Sequence, residues 1–89
     1  MPYEVKVEYQ GMTFTVRLLL ANKCGPQDPA NPHSCWEVTR GQYRAVVKVD
    51  ANDRVVGSEV RQSEAHILHI GRKDLQEIVN EAMNLGLTA

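Results

Sequence analysis

The sequence has few of the features that mark a membrane protein, a nucleic-acid-binding protein or a secreted disulfide scaffold. Its 89 residues include 2 Cys and 6% aromatic residues, and its longest apolar run is only the four residues 18–21. A membrane-spanning helix needs about 20 apolar residues, so the sequence predicts no membrane association. Ten Lys and Arg against eleven Asp and Glu leave a net charge of −1. That balance provides no field to attract nucleic acid or anionic lipid.

Signatures of catalysis and of secretion are missing as well. There is no Gly-x-Ser-x-Gly turn, no glycine-rich phosphate loop and no carboxylate pair spaced for acid–base work, so we expect no enzyme activity. Residues 1–6 carry charge where a signal peptide would be apolar. The sequence therefore predicts a cytoplasmic location, or the host cytoplasm if the chain is phage-encoded. Its length predicts a single domain, 1–89.

The first 21 residues show the alternation of a strand hairpin with one buried face. Apolar side chains alternate with polar ones along residues 3–9 and again along residues 12–20. With Gln10-Gly11 as a two-residue turn, Val7 pairs with Phe14 and Glu4 lies opposite Arg17. Every inward residue then meets an inward residue, whereas a slip by one would expose the apolar set. We therefore predict a hairpin over 3–21.

Three further strands are predicted at about 36–40, 42–49 and 54–61. Residues 36–49 could alternatively form one long strand bent at Gly41. The last strand fits only with an interruption, because simple alternation would place Val60 outside. A bulge at Gly57 would return Val60 to the core side. Residues 63–70 are consistent with either a helical turn or a strand.

The C-terminal part has helical periodicity. Apolar residues recur at Leu75, Ile78, Val79, Ala82 and Met83, and glycine follows at position 86. This pattern predicts an amphipathic helix over about 72–85. A sheet and a helix can each hide an apolar face against the other. We therefore predict an α+β fold, in which an antiparallel sheet of four to five strands is packed by one C-terminal helix.

The cysteines and histidines form the one set of residues that suggests a metal. Thiolate and imidazole are zinc ligands, and His66 and His69 would share a helix face. The spacing does not match known zinc patterns, and there is no Cys-x-x-Cys pair. We therefore expect no cofactor, with structural zinc as an alternative. The candidate metal ligands are Cys24, His33, Cys35, His66 and His69.

The two cysteines have two other possible states. A disulfide between Cys24 and Cys35 would close the base of a long loop and stabilise the fold by about 3 kcal/mol in the chain-entropy model. A reducing cytoplasm favours two thiols instead.

The loop over residues 22–34 is long for a connection between strands, and such loops are often functional. Its prolines repeat every three residues, the period of polyproline II, and proline-binding grooves recognise such segments. Trp36 follows the loop, and Trp is enriched at binding hot spots. A stiffened loop is the simpler explanation of the prolines.

A basic strand face is the basis of the nucleic-acid alternative. Arg44 and Lys48 share one face of a predicted strand, and Arg40 could share that face with them. Tyr43 would lie on the opposite face, so a stacking platform is not visible. The sequence therefore does not favour nucleic acid as the partner.

These observations favour a small non-catalytic protein-binding module. We expect a regulator or inhibitor that contacts a larger protein or complex, of the immunity, antitoxin-like or phage anti-defence kind; this is an analogy of size. A free sheet edge could also pair with a second copy to form a homodimer. The alternatives are a zinc-stapled domain and a nucleic-acid-binding module that uses Arg44 and Lys48. The candidate partner-binding residues are Pro26, Asp28, Pro29, Pro32, Trp36, Arg44 and Lys48.

Overall fold

The fold is a five-stranded antiparallel sheet with one helix on one face. This computed structural model describes residues 3–20, 24–26, 29–64 and 67–87. The strands are β1 (Glu4–Tyr9), β2 (Met12–Leu18), β3 (His33–Arg40), β4 (Tyr43–Asp50) and β5 (Val55–Arg61), and the helix is α1 (Arg72–Asn84). The strands lie side by side in chain order, β1-β2-β3-β4-β5. The predicted α+β class and the single C-terminal helix are confirmed.

The first hairpin has the predicted register. Val7 pairs with Phe14 and Glu4 with Arg17. The turn residues Gln10 and Gly11 both have positive φ, 50° and 75°. Two left-handed residues make the tight turn whose twist matches that of the flanking strands.

The structure decides between the alternatives left open for residues 36–49 and 63–70. A turn at 41–42 separates β3 from β4, so residues 36–49 are not one bent strand. β3 begins at His33, three residues earlier than predicted. The described residues of 63–70 form neither a helix nor a strand.

The bulge in β5 occurs one residue before the predicted position. Val49 pairs with Val55, and Lys48 pairs with Gly57, so Val56 is the extra residue. Beyond it Val60 lies opposite the buried Ala45, on the core side as expected, although 39% of Val60 stays exposed. The bulge therefore restores the apolar alternation without fully burying this edge strand.

The helix lies across the inner face of the sheet and closes the core. Its buried residues are Leu75, Ile78, Val79 and Ala82. Gly86 has φ 105°, and the chain turns there so that the Leu87 N–H donates to the Ala82 carbonyl over 3.1 Å. Leu87 is thereby folded back into the core, which is the usual hydrophobic contact of a glycine-terminated helix. Within the described residues no helix has the length and apolar character needed to cross a membrane.

Candidate functional site

Trp36 belongs to the core and not to a contact surface. It is fully buried, and its indole N–H donates to the Ser34 hydroxyl over 2.9 Å. Positions 34, 36 and 38 of β3 face the helix, because Trp36 and Val38 pair with Leu18 and Val16 of β2. As a candidate partner-binding residue, Trp36 therefore offers no accessible surface.

The prolines of the long loop are at the surface. Pro26, Pro29 and Pro32 are all exposed. Asp28, the fourth candidate of this loop, lies outside the described residues, as does His66 among the candidate metal ligands. A contact role for the prolines stays a prediction.

The candidate basic face is partly neutralised. Arg44 and Lys48 do share the outer face of the sheet, but Arg44 Nε lies 2.6 Å from Glu37 Oε2. Arg17 Nη1 approaches the same carboxylate at 3.8 Å. Arg40 lies at a core-face position of β3 and donates to the Thr13 carbonyl over 3.4 Å. Arg40, Arg44 and Lys48 therefore do not form one stripe along which a phosphate backbone could run.

β1 forms an edge of the sheet. No described strand lies beyond it. Because the two-residue turn makes Tyr9 and Met12 a hydrogen-bonded pair, the odd-numbered residues of β1 direct their peptide groups toward β2. The Leu18 N–H donates to the Tyr3 carbonyl over 3.4 Å, which fits this pattern. The peptide groups of Glu4, Lys6 and Glu8 therefore point away from the sheet.

The side chains of this edge alternate in charge on the outer face. Lys6 Nζ donates to the Thr15 hydroxyl over 2.7 Å, and Glu8 accepts from the Thr13 hydroxyl. Both partners are neutral, so these bonds cancel neither charge. At the open end of the hairpin, Tyr3 and Leu20 are 72% and 69% exposed and line a groove of about 300 Å³.

The two cysteines form a disulfide. Their Cα atoms are 5.4 Å apart, within the usual range for a bridge. The expected compartment favoured two thiols. Cys35 neighbours the inward-facing Trp36 on β3 and therefore lies on the outer face of the sheet, where the loop residue Cys24 reaches it.

His33 lies beside this disulfide. One ligand atom each of Cys24, His33 and Cys35 lies within 4.8 Å of the others, and among the described residues this is the only such group of three. His69 is exposed and does not belong to the group. The structure thus brings together three of the five candidate metal ligands.

A contact that the sequence did not suggest fastens the helix to the first strand. The Tyr9 hydroxyl lies 2.5 Å from Asp74 Oδ1 and 2.7 Å from Glu77 Oε2. The hydrogen bond with Asp74, and then the one with Glu77, raise the pKa of Tyr9, and the bond from Tyr9 lowers the pKa of Asp74. The contact joins residues 65 positions apart, which no local pattern reports.

Comparisons with known proteins do not assign this chain to a family. No family model, curated protein or solved structure matched it. Its function is therefore argued from its own surface and side chains.

Proposed function

We propose that the chain is a small non-catalytic protein-binding module whose partner adds an extended strand to the free edge at β1. The observation that carries the proposal is the row of outward peptide groups at Glu4, Lys6 and Glu8. Main-chain hydrogen bonds supply the affinity in such strand addition, and side chains supply the selectivity.

The opposite edge of the sheet is less suited to pairing. β5 is interrupted by the bulge at Val56. At its start the Val55 N–H donates to Gln76 Oε1 over 2.8 Å, and Gln76 Nε2 donates to the Asp53 carbonyl over 2.9 Å. Bulges and covering side chains are the usual protection of an edge strand. β1 is uninterrupted over its 6 residues, so it is the better of the two edges for a partner.

Charge complementarity specifies the partner strand. An antiparallel strand opposite β1 places its own side chains directly across from Glu4, Lys6 and Glu8. The complement is a basic, an acidic and a basic residue at alternate positions, with apolar residues between them that continue the row of Val5 and Val7. The exposed Tyr3 and Leu20 would extend the apolar contact at one end.

A second copy of this chain fits the same edge less well. Full overlap of two β1 strands around Lys6 would set Lys6 against Lys6 and Glu4 against Glu8, and like charges directly opposite are destabilising. Slipping the pair by two residues sets Lys6 against Glu8 but shortens the ladder. The pattern thus favours a different protein over a homodimer.

A regulator or inhibitor would use this module to occupy a strand of a larger protein, and the immunity, antitoxin-like and phage anti-defence classes remain proposals made on size. The cytoplasmic location also remains a prediction. Oxidising compartments favour the Cys24–Cys35 disulfide and reducing ones favour the thiols. The two cysteines are therefore compatible with either kind of compartment.

The proposal is tested with a synthetic strand of the sequence pattern Lys-Val-Glu-Val-Lys, titrated into isotope-labelled protein and followed by amide NMR. We expect shifts and protection from hydrogen exchange at the amides of Glu4, Lys6 and Glu8. A control peptide with the charges reversed, Glu-Val-Lys-Val-Glu, should bind less tightly.

Two variants of Lys6 separate the contribution of main-chain hydrogen bonding at β1 from that of the side-chain charge. Lys6→Pro removes an outward N–H that β2 does not use, and edge strands tolerate proline. Lys6→Ala removes the charge but keeps that N–H. We expect Lys6→Pro to abolish binding and Lys6→Ala to weaken it. Equal binding by Lys6→Pro and the unmodified chain, or amide shifts confined to the residues that flank the loop prolines, would refute strand addition at β1.

A further inference from the structure

The disulfide and His33 form a cluster that the strand-pairing function does not use. Cys35 is 1% exposed and Cys24 is 7% exposed, while His33 is half-buried. All three lie on the outer face of the sheet, away from β1 and away from the helix. We propose that reduction of the Cys24–Cys35 disulfide converts this cluster into a zinc site whose ligands are Cys24, Cys35 and His33.

The backbone already holds the ligands near the required geometry. His33 and Cys35 are two apart on β3 and therefore share a face. In a tetrahedral site with Zn–S near 2.3 Å and Zn–N near 2.0 Å, neighbouring ligand atoms lie about 3.5–3.8 Å apart. The three ligand atoms here lie within 4.8 Å of one another, so the histidine is near enough to join the two sulfurs once reduction lets them separate.

The charges of the cluster also suit a divalent cation. Two thiolates and one neutral imidazole balance the two positive charges of zinc, so the loaded site is neutral and its burial is inexpensive. Lys48 pairs with Cys35 across the sheet and so lies on the same face as the site. The site therefore does not need a further acidic ligand.

The fourth coordination position is open. No other His, Cys, Asp or Glu of the described residues joins the group. His33 lines a surface groove of about 280 Å³ with Pro32 and Asp50 among its walls, so the histidine side of the site borders an opening to solvent. Three protein ligands with a water in the fourth position is a known zinc arrangement.

The chemistry balances with a thiol as reductant. Two small-molecule thiols reduce the Cys24–Cys35 bond and leave as their own disulfide, and both cysteines gain a proton. Zinc then replaces those two protons, which are released to solvent. Because one sulfur pair cannot be bonded to itself and to zinc together, the oxidised chain and the zinc-loaded chain are mutually exclusive.

Cobalt(II) is the probe, since it binds at tetrahedral thiolate sites in place of zinc and its complexes there absorb light. The chain is reduced with excess thiol, desalted without oxygen and titrated with Co²⁺. We expect one Co²⁺ per chain with a thiolate-to-cobalt charge-transfer band that Zn²⁺ abolishes. The oxidised chain should show no band.

Two histidine variants provide the matched comparison. His33→Ala should raise the Kd for cobalt about tenfold or more, given that even the loss of an outer-shell partner costs at least that much. His69→Ala removes an exposed imidazole outside the cluster and should leave the Kd unchanged. Circular dichroism checks that each reduced chain is folded, and the reduced chain in urea should bind more weakly than the folded one.

Absence of the band in the reduced chain would overturn the proposal. So would equal affinities of His33→Ala and the unmodified chain, or equal binding in urea, because each would mean that the fold does not build the site. These outcomes are independent of strand pairing at β1, which uses none of the three ligands.

Discussion

The hydroxyl of Tyr43 should destabilise this fold, and removing it should stabilise it. Tyr43 is 3% exposed, and its hydroxyl oxygen has no hydrogen-bond partner among the described residues. Its ring packs edge-on against Phe14, with ring centroids 6.3 Å apart. Tyr43→Phe keeps that ring contact and removes only the unpaired group. Since a buried hydroxyl without a partner costs about 1–3 kcal/mol, we expect the free energy of unfolding to rise by about 1 kcal/mol or more.

Urea denaturation monitored by tryptophan fluorescence measures the change, because Trp36 is buried in the same core. For a domain of this size, 1 kcal/mol corresponds to about 4–8 °C in Tm. Tyr9→Phe is the matched control with the opposite expected sign. It removes a hydroxyl whose single proton is shared between Asp74 and Glu77, and it leaves those two carboxylates without that donor.

The refuting outcome is a Tyr43→Phe chain that is no more stable than the unmodified one. The hydroxyl would then have a bound water as its partner, and its loss would cancel the gain. A spectroscopic titration gives an independent check. Burial, and then the negative charge of Asp74, raise the pKa of Tyr43, so it should ionise at higher pH than an exposed tyrosine.

Two further predictions follow from the cross-links of the fold. Reducing the Cys24–Cys35 disulfide, which spans 11 positions, should lower the free energy of unfolding by about 3 kcal/mol in metal-free buffer; an unchanged urea midpoint with and without reductant would contradict this. Hydrogen bonds from Tyr9 and from the Gly71 N–H lower the pKa of Asp74 below 3.8. That carboxylate therefore adds stability above the unfolded pKa, and the stability is lost as the pH falls through the folded one. Asp74→Asn should flatten this acid dependence, and an equally steep loss in the variant would count against it.

The sheet and helix were predictable because their signals are local and repeated. The hairpin over β1 and β2 follows from alternation on both sides of Gln10-Gly11, since only one register buries both apolar rows. The helix follows from its 3.6-residue period and from Gly86. The predicted position of the bulge was wrong by one residue: it is at Val56 and not at Gly57. Alternation shows that one residue of β5 is extra without showing which one.

The candidate sites were less predictable because they depend on which distant segments meet. The sequence predicted that some edge would be free, but only the strand order identifies β1, and only the position of Gln76 shows that the start of β5 is covered. Trp36 was expected beside the loop at a surface. Side chains alternate between the two faces of β3, however, and Trp36 falls on the face that packs into the core. For Cys24 and Cys35 the sequence is compatible with two thiols, a disulfide or a zinc site, and only their 5.4 Å Cα separation identifies the disulfide.

The simple strand order has a consequence for how the chain reaches this structure. Every strand pairs only with its sequence neighbours, so the sheet can grow from successive hairpins whose loops are mostly short. Contacts between near neighbours close quickly because little loop entropy is lost. The helix is the exception, since its bonds to Tyr9 join residues 65 and 68 positions apart. Docking of α1 is therefore the step expected to wait for the finished sheet, and the apolar inner face stays exposed to other molecules until that step is complete.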